Sequence, residues 1–176
     1  DRIHTNLGVV HTWSDDLGET WVEPRYMDLG PWLGPNRAIS PHWRIITLDD
    51  GTALMSLYGD PNPKYDGPMV VPAGTKVMAG VMRSTDNGET WSDPSLIMHK
   101  TDPLCWEESS LCLLDSGRLL SHTRTGRHNI VQYVSDDKGR TWTGPVDVTH
   151  GSQQPGGAFQ LKSGNVMCTW GNRQAP

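Results

Sequence analysis

Apolar and polar residues alternate in four stretches, Arg44 to Leu48, Ala53 to Tyr58, Lys76 to Met82 and Ile130 to Val134, which is the period of strands that bury one face. No stretch keeps apolar residues at helical spacing for three turns. The pattern predicts an all-β chain of short strands. Nineteen glycines, 13 prolines and 8 tryptophans beside a single phenylalanine fit that reading, because many short strands need many tight turns.

An eight-residue segment then recurs three times. Ser14-Asp15-Asp16-Leu17-Gly18-Glu19-Thr20-Trp21 returns as Ser84-Thr85-Asp86-Asn87-Gly88-Glu89-Thr90-Trp91 and as Ser135-Asp136-Asp137-Lys138-Gly139-Arg140-Thr141-Trp142, giving the pattern S-x-D-x-G-x-T-W. Each position has a role in a turn between two strands. The Asp carboxylate accepts backbone N–H groups further along, Gly supplies a positive φ, the Ser and Thr hydroxyls tie the two limbs together, and the Trp buries a large ring. The octet lacks the further carboxylates of a calcium loop, so it reads as a structural turn and no metal is expected.

Tight hairpins lie out of phase with the octets at Asp49-Asp50-Gly51-Thr52, Asp115-Ser116-Gly117-Arg118 and Lys162-Ser163-Gly164-Asn165. The order strand, hairpin, strand, loop, strand, octet, strand is a four-stranded unit of roughly 50 residues, the size of a β-propeller blade. Residues 1–30 supply half a blade, 42–99 and 107–149 one blade each, and 157–176 a further half. These are three blade equivalents in one partial propeller domain. Propellers close with about four to eight blades. The chain is therefore expected either to belong to a longer protein or to associate, a homodimer closing a six-bladed ring.

Charge and cysteine content narrow the partners. The net charge is −5 with five lysines and no basic run, which argues against nucleic acid. No run approaches the roughly 18 apolar residues of a membrane-spanning helix, and no charged-then-apolar leader opens the sequence. Cys105, Cys112 and Cys168 match neither a zinc pattern nor a dense disulfide framework, and read as buried thiols.

The loops opposite the hairpins and octets carry the candidate chemistry. Gly51 to Gly88 spans 37 residues against 22 from Gly117 to Gly139, and the surplus lies around Gly59 to Ala73, which offers Asp60, Tyr65 and Asp66. Strand ends on that same face hold Arg44, Glu107, Glu108, His122, Arg124, Arg127 and Arg173. Arg44, Arg124 and Arg173 fall at one such end in three successive blades, which suits the clamping of a carboxylate by charge-assisted hydrogen bonds. Such arginines also serve as scaffold when paired with Glu107 or Glu108.

The octets resemble the Asp-box, or BNR, repeats of sialidases. The stretch from Glu108 through Asp115-Ser116-Gly117-Arg118-Leu119-Leu120 to Arg124 resembles that family's Glu-Pro-x-Leu, Asp-Gly-Arg-Leu-Leu and Arg segment, and Ser163 to Arg173 is similar to the blade that follows. In sialidases an arginine triad holds the substrate carboxylate, a glutamate activates a tyrosine nucleophile and an aspartate is the acid/base. The resemblance implies Arg124, with Arg44 and Arg173, as carboxylate-binding residues, Glu108 as the glutamate, and Asp66 as the acid/base. It implies an acidic glycan or sialoside as ligand and neither metal nor organic cofactor. Arg44-Ile45-Ile46 carries Ile where the family has Pro, and none of Tyr58, Tyr65 or Tyr133 sits in a nucleophile motif. A non-catalytic Asp-box propeller that binds a glycan or a protein is the alternative expectation.

Overall fold

The computed structural model describes residues 8–29, 40–42, 44–62, 64, 67, 69–101, 108–125, 129–151 and 156–172. Every regular element among them is a strand, and all the pairings are antiparallel. The first sheet is β1 (Val10–His11) with β2 (Arg25–Tyr26), joined across the first octet. The second contains β3 (Ser40–Pro41), β4 (Ile46–Thr47), β5 (Ala53–Gly59), β6 (Val77–Ser84) and β7 (Ser92–Lys100). Both short strands β3 and β4 pair with β5, and the order continues to β6 and β7. The third sheet runs β8 (Ser109–Leu113), β9 (Leu119–Arg124), β10 (Ile130–Ser135) and β11 (Thr143–Asp147), followed by the pair β12 (Gly157–Gln160) and β13 (Val166–Thr169).

The four sheets pack face to face in chain order. Val9 and Leu29 of the first meet Met55, Leu57, Met78 and Met82 of the second. On the other face of the second sheet, Leu54, Ala79 and Val81 meet Leu111 and Leu119 of the third. Cys112 and Leu120 then meet Ala158 and Cys168 of the fourth. A sheet held between two others buries both of its faces, which is why all of β6 and nearly all of β5 are buried although their sequences mix apolar and small residues.

Polar groups tie sheet to sheet where the backbones come close. Ser56 Oγ donates to Ser109 O at 2.6 Å, and Ser110 Oγ donates to Gly156 O at 2.7 Å. A Cβ on Gly156 would stand 1.9 Å from Thr169 O, so only glycine allows that approach. The buried guanidinium of Arg83 donates to Asp93 O at 2.7 Å and to Lys138 O of the third octet at 3.1 Å.

The octets fold as turns held by their own side chains. Asp137 accepts the N–H of Thr141 at 2.9 Å and the Ser135 hydroxyl at 2.7 Å, and Gly139 N–H reaches Ser135 Oγ at 2.9 Å. The same contacts recur at Asp16 and Asp86. The expected Trp anchor is not uniform. Trp91 is buried and Trp142 half-buried, each donating Nε1–H to its octet glycine carbonyl at 3.2 Å, but Trp21 is 64% exposed. Trp21 follows the first octet beside β1 and β2, the two strands described in the first sheet.

Candidate functional site

The β8–β9 hairpin builds the site. Its turn closes through Gly117 N–H to Leu114 O at 2.8 Å and Leu114 N–H to Arg118 O at 2.9 Å, with Gly117 at φ +83°. The pairing that follows places Ser109 opposite Thr123, so Arg124 N–H reaches Glu108 O at 3.1 Å. Residues sixteen apart in sequence thus become cross-strand neighbours on one face. Arg124 Nε lies 3.0 Å from Glu108 Oε2, with the side chains only 12% and 21% exposed. The two atoms are not aligned for a hydrogen bond, and neither makes one elsewhere. The backbone hydrogen bond and the attraction of opposite charges hold the two residues together, and the facing atoms are buried against each other.

The second sheet supplies the surroundings. His42 N–H donates to Ser56 O at 3.1 Å, the Ser56 hydroxyl has its single proton shared between Ser109 O and His42 O, the latter at 2.8 Å, and Ser40 pairs with Tyr58 across β3 and β5. Burial pushes the His42 imidazole below its usual range, Glu108 opposing and Arg124 reinforcing that shift. Burial pushes the Tyr58 phenol up; a hydrogen bond with Ser40 opposes the rise, Glu108 adds to it and Arg124 reduces it. Both rings therefore lie within electrostatic reach of the charged pair. One step along β9, His122 is buried, with Nε2 3.0 Å from Gln132 Oε1 and no hydrogen-bond partner for Nδ1. Burial also lowers its pKa, against the Gln132 hydrogen bond.

Of the residues singled out by sequence, the fold brings Glu108 and Arg124 together. Arg44 is exposed two residues before β4, and its charge is felt at the Cys112 thiol, where it opposes the upward push of burial. Asp60 is half-buried at the end of β5. Asp66 and Arg173 lie outside the described residues, as do Tyr65, Glu107 and Arg127. Sequence reasoning passes over His42 and gives Tyr58 no role. His42 stands two residues before Arg44 at the start of the same strand region, which is the available signal. Among the described residues no group of three or more His, Cys, Asp and Glu side chains could hold a metal ion.

The stack of short antiparallel sheets, the first three of which carry an Asp turn, defines a partial β-propeller. The chain belongs to the BNR repeat-like domain family, whose model matches residues 4–171. It is similar to a sialidase of Micromonospora viridifaciens, at 26% identity over 170 residues that cover 88% of this chain and 26% of that protein. It is also similar to a sialidase of Paraclostridium sordellii, at 28% identity over 149 residues covering 80% of this chain and 33% of the relative. The chain thus spans about a quarter to a third of the curated relatives' length. Among solved structures, a mutant of the NanB sialidase from Streptococcus pneumoniae aligns with a TM-score of 0.65 at 19% identity, over 92% of this chain and 23% of that one.

Proposed function

We propose that the chain forms part of a sialidase-like glycoside hydrolase acting on a terminal acidic sugar such as sialic acid. The observation that carries this reading is the Glu108–Arg124 pair, enclosed and charge-matched yet without a hydrogen bond between its facing atoms, in a chain of the BNR repeat-like family. Arg124 holds the substrate carboxylate through its guanidinium fork, with Arg44 and Arg173 as further cationic contributors. Glu108 takes the proton of a neutral nucleophile, which avoids setting a carboxylate nucleophile against an anionic sugar as positive charge develops at the anomeric carbon. Asp66 is the acid/base.

A second reading has one observation in its favour. Tyr58 is the described tyrosine whose ionisation responds to Glu108, and it is buried with its pKa raised, the reverse of an accessible activated nucleophile. A propeller that binds an acidic glycan through Arg124 without cleaving it matches that feature. A fluorogenic sialoside assay separates the two. Turnover that falls at least about 30-fold in Arg124→Ala, as expected for removal of a charge-assisted contact, supports the hydrolase. Binding of the sialoside without turnover supports the module.

A further inference from the structure

The face of the β8–β9 hairpin that meets the second sheet changes character along its length. Side chains alternate along a strand, so Leu113 with Leu119, Leu111 with Ser121, and Ser109 with Thr123 are successive cross-strand pairs on that one face. The pair next to the turn is apolar, the middle pair is mixed, and the last pair carries two hydroxyls. Ser109, Ser121 and Thr123 are all buried. The last pair adjoins the site, since Ser109 follows Glu108 and Thr123 precedes Arg124.

Hydroxyls so placed need partners, because a buried hydroxyl without one costs free energy that a methyl group in the same place does not. Here they satisfy one another. Thr123 Oγ1 lies 2.7 Å from Ser109 Oγ and 3.3 Å from Ser121 Oγ. From the facing sheet Ser56, also buried, shares its single hydroxyl proton between Ser109 O at 2.6 Å and His42 O at 2.8 Å. Ser109 is thus held twice, by its side chain to β9 and by its carbonyl to β5.

We infer that Thr123 and Ser56 are positioning residues of the site, whose hydroxyls fix Ser109, and through it Glu108, where the carboxylate meets Arg124. Leu111 and Leu119 on the same face show that apolar side chains fill this core, so packing alone requires no hydroxyl at Thr123. Apolar groups tolerate small shifts, whereas a buried chain of hydroxyls is satisfied in one arrangement and rigidifies what it joins. The Glu108–Arg124 pair needs that support, because its facing atoms make no hydrogen bond of their own to fix their geometry. A misplacement of about 1 Å at a reacting group costs on the order of 100-fold in rate.

The inference rests on the reading of Glu108 and Arg124 as the site, but its first test needs no substrate. Arg124 Nε is buried beside Glu108, so its proton exchanges slowly with solvent and gives a signal in a proton–nitrogen correlation spectrum, assigned by its absence in Arg124→Lys. Thr123→Val keeps the branched shape and loses the hydroxyl, and should speed that exchange at least about tenfold. Thr123→Ser keeps the hydroxyl and loses the methyl group, and should leave exchange within about twofold of the unmodified chain. Ser56→Ala should behave as Thr123→Val does and takes its place should that variant not fold, with circular dichroism as the check. A role in packing alone predicts the reverse order for the two Thr123 variants, since serine and not valine leaves a void. Exchange unchanged in both Thr123→Val and Ser56→Ala, or accelerated as much in Thr123→Ser as in Thr123→Val, overturns the inference. On a fluorogenic sialoside kcat should follow the same order, at least about tenfold lower in Thr123→Val with KM within about twofold. An unmodified chain that cleaves no sialoside strikes the hydrolase reading and leaves the exchange result standing.

Discussion

Leu17 is a non-glycine residue with φ at +60°, and its side chain is fully exposed. The left-handed backbone there is strained for a branched side chain that packs against nothing. The equivalent residue of the second octet is Asn87, at φ +59°, a type that tolerates this conformation. Leu17→Asn should raise stability by about 0.5–1 kcal/mol in urea unfolding, with the slope unchanged. Lys138 holds the third such position at φ +59°, but its ammonium reaches Asp50 at 2.8 Å and Asp49 at 3.1 Å, so there a substitution would also remove a contact between neighbouring sheets. Of the charged residues, Arg124 and Glu108 are legible in the sequence because the hairpin fixes their register. His42 and Tyr58 join them only through the packing of one sheet on the next, and no local pattern records that contact.

At the scale of the element, the octet is a hydrogen-bonded loop centred on an ionised carboxylate. Asp16 is held at a pKa of about 2 by the Ser14 hydroxyl, then by the hydroxyl and N–H of Thr20. Asp86 is held at about 2 by Thr90 and then Ser84. For Asp137 burial pushes upward, and hydrogen bonds from Thr141, Ser135 and the Arg140 N–H overcome it, again to about 2. A carboxylate with a depressed folded pKa contributes stability that is complete above its unfolded value of 3.8 and is lost as pH falls toward 2. Thermal scans across that window should show the loss, and Asp86→Asn should make it shallower. The octets and hairpins are readable from the chain alone because their function is local, with each glycine and hydroxyl serving its own turn. The Trp anchor is not, since whether an indole is covered depends on what packs beside it. The same holds for β3 and β4, too short for a periodic signal and placed by β5 instead.

For the whole molecule, the spacing of the repeats is enough to reveal a partial propeller, because each repeat is a sheet that buries itself only against its neighbours. The ordered stack of cores between successive sheets is that property realised. Acid sensitivity also has a component at this scale. His42 and His122 are both pushed below 6.5 by burial. The unfolded chain therefore binds protons there more readily, and stability should rise with pH up to about 6.5. His122→Gln should remove part of that slope in urea titrations between pH 5 and 7. The position of Asp66 and Arg173 relative to the charged pair is a whole-molecule property that no local motif states.

The central claim is that Arg124, set against Glu108, recognises the carboxylate of an acidic sugar. Calorimetric titration with N-acetylneuraminic acid tests it most directly, with the uncharged methyl ester as the comparison ligand. The account predicts binding of the acid, at least about tenfold weaker binding of the ester, and loss of that preference in Arg124→Ala. Equal affinity for acid and ester, or a preference that survives Arg124→Ala, would contradict it.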